Sequence, residues 1–414
     1  MPNKEKPVAD NENPQPIAQP VSRGFLLLSL LTVVLVGLNL RAGIASASAL
    51  YHDLQQFLGY GPFVAALLPS IPTLVFAVAG TATAWVARRL GLSGTIMLAL
   101  CILGAGLAFR GIPATWALLA GTVAAMCGIA LCNVAMPSFI RENFAHKTSM
   151  MTGVYTITMS IGATAASSLS VPLAMAAGSP TLGLAAWSML ALAGALAFIP
   201  FILMARSGKP APAAGPRASA LGLLRTKRGL VITGLFTVQG ILAYAIMSWL
   251  PTILIFRGMP PAQAGIMLGL LQIMSIPATM FVLWMANKLN RLRSAMVFCS
   301  VAAGIGVTGL LLLPLSLAWI SAIALGIGFA IFPLVLLVIS HSGETPEETT
   351  AMSTLAQSIG YLVATSGPFG MGLLFATTGA WTVPLVLLLG VVVLQLLLGI
   401  AASTYRRPAL QRVQ

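Results

Sequence analysis

The sequence predicts an all-α protein that crosses a lipid bilayer twelve times, in two halves of six helices. Composition, apolar run length and the sorting of basic residues carry this expectation. Of the 414 residues, 58% are hydrophobic and 7% charged, against about 25% charged in a soluble domain. Spanning a hydrocarbon layer of about 30 Å takes about 20 apolar residues in helical form. Twelve runs approach or exceed that length: 24–50, 61–87, 92–109, 113–138, 149–174, 181–204, 229–256, 262–286, 294–313, 316–340, 349–377 and 380–402. The net charge is +14. With the N-terminus placed inside, every Lys and Arg except Arg41, Arg110 and Arg257 falls in a segment on the inner side. This is the positive-inside pattern. The expected location is the cell (inner) membrane with both termini cytoplasmic, and the basic balance reports orientation instead of a nucleic-acid partner.

Residues 1–22 are polar and rich in proline (Pro2, Pro7, Pro14, Pro16, Pro20), which predicts a disordered cytoplasmic tail. The run that follows is too long for a cleaved signal segment and reads as the first membrane helix. The connection 205–228 holds Arg206, Lys209, Arg217, Arg225, Lys227 and Arg228 among prolines and glycines. It divides an N-terminal half, 23–204, from a C-terminal half, 229–403, and a second tail occupies 404–414. An internal echo supports the division: Ser160-Ile161-Gly162 recurs as Ser358-Ile359-Gly360, with Ala166 and Ala364 at the same offset. Trp85-Val86-Ala87-Arg88-Arg89-Leu90 likewise resembles Trp284-Met285-Ala286-Asn287-Lys288-Leu289. Paired halves with a site at their midplane interface are the arrangement of large secondary transporters. Thr345-Pro346-Glu347-Glu348 reads as a helix start, with a Thr cap, Pro at the first position and acids in the first turn. Pro69, Pro72, Pro137, Pro172, Pro251, Pro277, Pro333 and Pro368 fall inside runs and predict bends.

No catalytic set is visible. His52, His146 and His341 sit in predicted loops, the four cysteines (Cys101, Cys127, Cys132, Cys299) form no CxxC pair, and no GxxxxGK[ST] loop exists. The expectation is a protein that is not an enzyme and uses no cofactor or metal. Its partners are the bilayer and a small solute, and it functions as a monomer. Membrane-embedded Asp, Glu or His relays serve proton coupling in many transporters, and the runs contain none. Protons as a coupling ion would then ride on the solute or on a loop group.

Arg41 stands as the sole charge inside any run. A guanidinium near mid-membrane costs roughly 2.5–3.5 kcal/mol on insertion scales, so it faces protein interior or a watery cavity and marks a pathway. It keeps its proton, and its planar fork suits carboxylate-like anions. With no acid nearby, a small anionic or strongly polar ligand is the natural partner.

Several segments resemble the cyanate permease and 2-nitroimidazole transporter (CynX/NimT) branch of the major facilitator superfamily. They are Leu38-Asn39-Leu40-Arg41, Asn133-Val134-Ala135-Met136-Pro137, Met151-Thr152-Gly153-Val154-Tyr155, Trp249-Leu250-Pro251-Thr252-Ile253-Leu254, Phe332-Pro333-Leu334 and Gln357-Ser358-Ile359-Gly360-Tyr361. Two departures stand out: Ala42 follows the arginine where the family usually has proline, and Arg88 occupies the place of the acid in the superfamily's signature loop. The resemblance implies the major facilitator fold and alternating-access transport of a small anionic or polar compound, a cyanate-like anion, a small carboxylate or a nitroimidazole. Efflux of neutral heteroaromatic or drug-like compounds is the alternative. A membrane sensor that binds without translocating comes last, because the short loops leave no room for a signalling domain.

The candidate solute-binding residues are Arg41, Asn39, Asn133 and Tyr155 in the first half, and Gln239, Tyr244, Trp249, Gln272, Gln357 and Tyr361 in the second. Gln357 and Tyr361 are four apart and share a helix face, whereas Asn39 lies about 200° around the helix from Arg41. Neutral donors on one half facing a fixed cation on the other suit a small anion or a polar heterocycle. Arg110 and Arg257 are expected at the outer mouth, where they would bias a vestibule toward anions.

Overall fold

Within hydrocarbon the backbone has no water to bond, so each apolar run closes its hydrogen bonds internally as a helix. The computed structural model describes residues 23–144, 147–204, 220–343 and 345–405, and these contain helices and no strands. Twelve crossings follow in order: α1 (Arg23–Leu58), α2 (62–90), α3 (92–109), α4 (Thr115–Asn143), α5 (Thr148–Ala177), α6 (Pro180–Leu203), α7 (Lys227–Phe256), α8 (Pro261–Asn287), α9 (Leu292–Leu312), α10 (Leu315–Ser340), α11 (346–378) and α12 (Thr382–Ala402). An even number of crossings puts both ends of the described chain on one side, called here the terminal face; the opposite side is the far face. The tail 1–22, most of the tail 404–414 and the core of the linker, 205–219, lie outside the described residues.

Local chemistry explains where the helices stop and bend. α1 runs on to Leu58, beyond the apolar run, because nothing breaks it before Gly59, whose φ of +64° suits glycine, and Gly61-Pro62. α2 and α3 meet at Gly91, where φ is +68°. α10 breaks at Ala330 and α11 at Thr365, each three residues before a proline, Pro333 and Pro368, whose ring excludes the helical bond behind it. The Thr345 hydroxyl accepts from the Glu348 backbone N–H at 3.2 Å, as the cap reading of that segment expects. Arg228 at the start of α7 pairs with Glu348 at the start of α11, the ion pair of the described residues.

Helices in lipid associate through close packing, which small residues allow. α1 lies against α5, where a side chain on Gly162 would run into the Leu38 carbonyl and one on Gly37 would meet Tyr155 O at 3.1 Å. α3 and α4 approach through Gly106, Gly121 and Gly128; a Cβ on Gly128 would stand 2.7 Å from Leu103 N. In the second half, a Cβ on Gly328 of α10 would meet Ala303 of α9 at 2.7 Å.

Side-chain contacts join the halves from mid-membrane to the far face. Phe63 meets Phe369 edge-on at 5.9 Å, Tyr51 lies 6.5 Å from Trp249, and the Thr365 hydroxyl donates to Thr73 at 3.0 Å. Thr164 of α5 donates to the Gly269 carbonyl of α8 at 3.3 Å. The molecule is therefore closed on its far side.

Replacing Gly162 with Val should cost about 1–3 kcal/mol or more through overpacking against Leu38. Gly153, with open space at its Cβ position, should accept Ala within about 1 kcal/mol. Melting temperatures and monodisperse yields of the two variants check the contrast; equal losses would contradict the packing described.

Candidate functional site

Arg41 lies at the midpoint of α1, three residues past Leu38, whose carbonyl abuts Gly162 at the midpoint of α5. That register puts the guanidinium near the middle of the membrane. Its side chain is half-buried and has no hydrogen-bond or ion-pair partner among the described residues. Three tyrosine hydroxyls lie within electrostatic reach of it: Tyr155 on α5, Tyr244 on α7 and Tyr361 on α11. Tyr244 and Tyr361 sit edge-on with ring centroids 6.0 Å apart. One cation from the first half thus meets hydroxyls from both halves.

The structure sorts the other sequence candidates. Gln357, one turn before Tyr361, donates to Ser353 Oγ at 2.8 Å and stays half-buried. Asn133 is half-buried beside Cys132, itself within electrostatic reach of Tyr155. Gln239 is buried on α7, and Gln272 is buried on α8 with an amide nitrogen that has no partner. Gln272 shares a helix face with Gly265 and Gly269, which abut α5 at Ser167 and Ser168. Two candidates stand apart. Asn39 is 1% exposed and donates to Leu35 O at 2.8 Å and Leu190 O at 2.9 Å, tying α1 to α6. Trp249 donates to the Pro368 carbonyl at 2.8 Å and packs on Tyr51 and Trp381, so it belongs to the far seal instead of the Arg41 group.

Sequence reasoning missed three rings. Phe76 on α2 lies 5.7 Å from Tyr361 and 6.4 Å from Tyr244, while Phe236 on α7 lies 5.1 Å from Tyr361 and 6.1 Å from Phe332 on α10. A phenylalanine in an apolar run carries no periodic signal that separates a site from a core. The vestibule expectation is also corrected. Arg110 is 0% exposed and donates from Nη1 to the Gly43 carbonyl at 2.9 Å. Its side chain folds back into the bundle because Gly121 and Gly106 let α3 and α4 close around it. Arg257 is half-buried and caps the end of α9, donating to Leu310 O at 2.9 Å and to Leu313 O. Arg110 is thus withdrawn from the mouth, whereas Arg257 keeps its charge, half-exposed at the end of α7.

Long apolar helices in two bundles around a central polar group define a membrane transporter. Residues 30–368 match the Major Facilitator Superfamily. The chain is 31% identical over 370 residues to the 2-nitroimidazole transporter of Escherichia coli (strain K12), covering 89% of this chain and 92% of that one. It is 26% identical over 361 residues to the cyanate transport protein CynX of the same organism, covering 84% and 90%. Among solved structures, a bacterial homolog of the human lysosomal transporter Spinster aligns with a TM-score of 0.74 at 15% identity, covering 94% of this chain and all of the other. A point mutant of the peptide transporter POT in complex with sulfate aligns with a TM-score of 0.75 at 15% identity, covering 92% and 95%. The chain belongs to the major facilitator superfamily and is a multi-pass transporter of that type. Within it, the chain falls in the branch of the 2-nitroimidazole transporter and CynX.

Asn39→Ala should lower stability by about 0.6–1.7 kcal/mol, the span measured for interhelical hydrogen bonds in membranes, and leave solute binding by the folded fraction intact. Thermal melts with and without solute test this. Lost binding at unchanged stability would return Asn39 to the site.

Proposed function

We propose that this protein is a secondary transporter that carries a small anionic or polar solute by alternating access, with Arg41 as the electrostatic centre of its binding site. The observation that carries the reading is an unpaired, half-buried guanidinium at mid-membrane within reach of three tyrosine hydroxyls drawn from both halves. A charge in that position is retained at a cost and faces a pathway. Solute oxygens or nitrogens would take the Arg41 donors that the protein leaves unused. Asn133, Gln239, Gln272 and Gln357 supply further neutral donors and acceptors around the same level. The relatives' names bring cyanate-like anions and nitroimidazoles to the front of the substrate classes.

Charge sorting orients the terminal face to the cytoplasm, in the inner membrane. On that reading the far-side seal describes a state in which solute reaches Arg41 from inside. The functional unit is a monomer, and a coupling proton, where one is used, travels on the solute or a peripheral group. A second reading, efflux of neutral heteroaromatic compounds, draws on the rings of Phe76, Phe236, Tyr244, Phe332 and Tyr361 beside the cation. Planar ring systems stack on such faces.

Arg41→Ala should weaken binding of anionic solutes about 10- to 100-fold, the loss expected for removing a charge-assisted hydrogen bond, with normal membrane expression. Arg41→Lys, which lacks the planar fork, should recover only part of it. Thermal stabilisation of purified protein by cyanate, nitrate, short carboxylates and nitroimidazoles provides the measurement. Wild-type cyanate stabilisation in Arg41→Ala would end the proposal, and stabilisation by neutral nitroimidazoles alone would favour the second reading.

A further inference from the structure

Arg110 is among the largest fully buried side chains of the protein, and its position is not the one open to it. It directly follows the last residue of α3, next to the far-face loop, where a long cationic side chain ordinarily turns outward and carries its charge to water. Here the guanidinium runs inward and reaches the carbonyl of Gly43, two residues beyond Arg41 on α1. That path is built into the packing: a Cβ on Gly121 of α4 would meet Arg110 Cγ and its backbone nitrogen at 3.0 Å, so glycine makes the room. Nη1 donates to Gly43, while Nε and Nη2 have no partner. The ionisable neighbour is Tyr51, a phenol that neutralises nothing. Among the described residues no Asp or Glu pairs with Arg110; the ion pair found there is Arg228 with Glu348 on the terminal face.

Arginine keeps its proton even when buried. The interior around Arg110 therefore carries a full positive charge without a protein counter-charge, in a medium that screens far less than water. The partly accessible cation on this helix is Arg41, two residues before Gly43, about 3 Å along α1 and about 200° around it, so the two guanidiniums flank the same turn of helix from different sides. We propose that Arg110 is a second fixed charge of the transport site, one that touches no solute but raises the affinity for anions at Arg41 through its field. The inference rests on the anion reading of that site. It assigns to Arg110 a selectivity for charge that its hydrogen bond to Gly43 alone would not produce.

The experiment compares purified wild type, Arg110→Gln, Arg110→Lys and Arg41→Ala for apparent affinity toward cyanate and toward a neutral N-alkylated nitroimidazole, read as concentration-dependent thermal stabilisation. Arg110→Gln retains a donor for Gly43 and loses the charge. It should weaken cyanate affinity about tenfold, equivalent to about 1.4 kcal/mol, and leave the neutral probe unchanged, while Arg110→Lys stays close to wild type for both. Equal weakening of both probes in Arg110→Gln, or no weakening of either, would overturn the proposal. If Arg110→Gln does not fold, Leu107→Glu decides: it places an acid one helical turn from Arg110, cancels the field and gives the cation a partner. It should reproduce the selective loss of cyanate affinity, and wild-type affinity there would refute the idea. Arg41→Ala separates the two levels. Loss of cyanate binding in that variant with none in Arg110→Gln sinks the role of Arg110 alone, whereas cyanate binding untouched in Arg41→Ala sinks the site reading beneath it.

Discussion

Two arginines within an interior that offers them no acid set the terms for this molecule. A guanidinium in hydrocarbon demands hydrogen-bond acceptors or water, and it cannot escape by losing its proton. Arg110 obtains one acceptor, the Gly43 carbonyl, inside a sleeve of close-packed helix. Arg41 obtains none from the described residues and instead keeps part of its surface accessible at the level where the two halves meet. The difference between the two is the difference between a charge enclosed by one half and a charge presented to a shared space.

The hydroxyls show why so few groups are left to share that space. Thr32, Ser48, Thr122, Thr156, Thr158, Thr164 and Ser170 each donate to a carbonyl four residues back on their own helix. Such bonds use the hydroxyl proton locally and leave an oxygen that can only accept, which an anion cannot use. What remains within electrostatic reach of Arg41 is a small set, the hydroxyls of Tyr155, Tyr244 and Tyr361. Glycine performs the complementary task. Gly37 and Gly162 hold α1 and α5 at backbone contact just below Arg41, so the cation is carried on a pair of helices with little freedom to slide.

Much of this was legible in the chain. Twelve crossings follow from run length, and the cap at Thr345 and the breaks ahead of Pro333 and Pro368 follow from local backbone chemistry. Arg41 announced itself because charge in an apolar run is conspicuous. The same logic failed for Arg110, which lies at the edge of its run and reads as a loop cation; its inward path depends on Gly121 and Gly106 of a packed helix pair, which no linear pattern expresses. Phe76 and Phe236 were invisible for the opposite reason, since a ring among apolar residues is unremarkable until neighbouring helices bring it beside Tyr361. Asn39, about 200° around α1 from Arg41, bonds a neighbouring helix at Leu190, and Trp249, a candidate for stacking on solute, gives its donor to Pro368.

The far-side seal lies close above this group, and Tyr361 belongs to both. Its ring packs on Phe76 across the two halves, and one turn farther along α11 Thr365 bonds Thr73. The described contacts across the seam are rings, small residues and single hydrogen bonds, each worth about 0.5–1.5 kcal/mol; none is an ion pair. A seam of that kind separates at modest cost, so the balance between states is sensitive to small differences in what each state binds. A ligand shifts such a balance only through unequal affinity for the two states. On the proposed reading, a solute seated between Arg41 of the first half and Tyr244 and Tyr361 of the second touches the rings that close the seam, and its charge is felt most where the halves enclose it. Occupancy and closure would then act on the same residues, with no separate gating pair to relay one to the other. That is consistent with Arg88 standing where the superfamily's signature loop usually supplies an acid: a transporter whose seam is neutral can place its electrostatics at the solute.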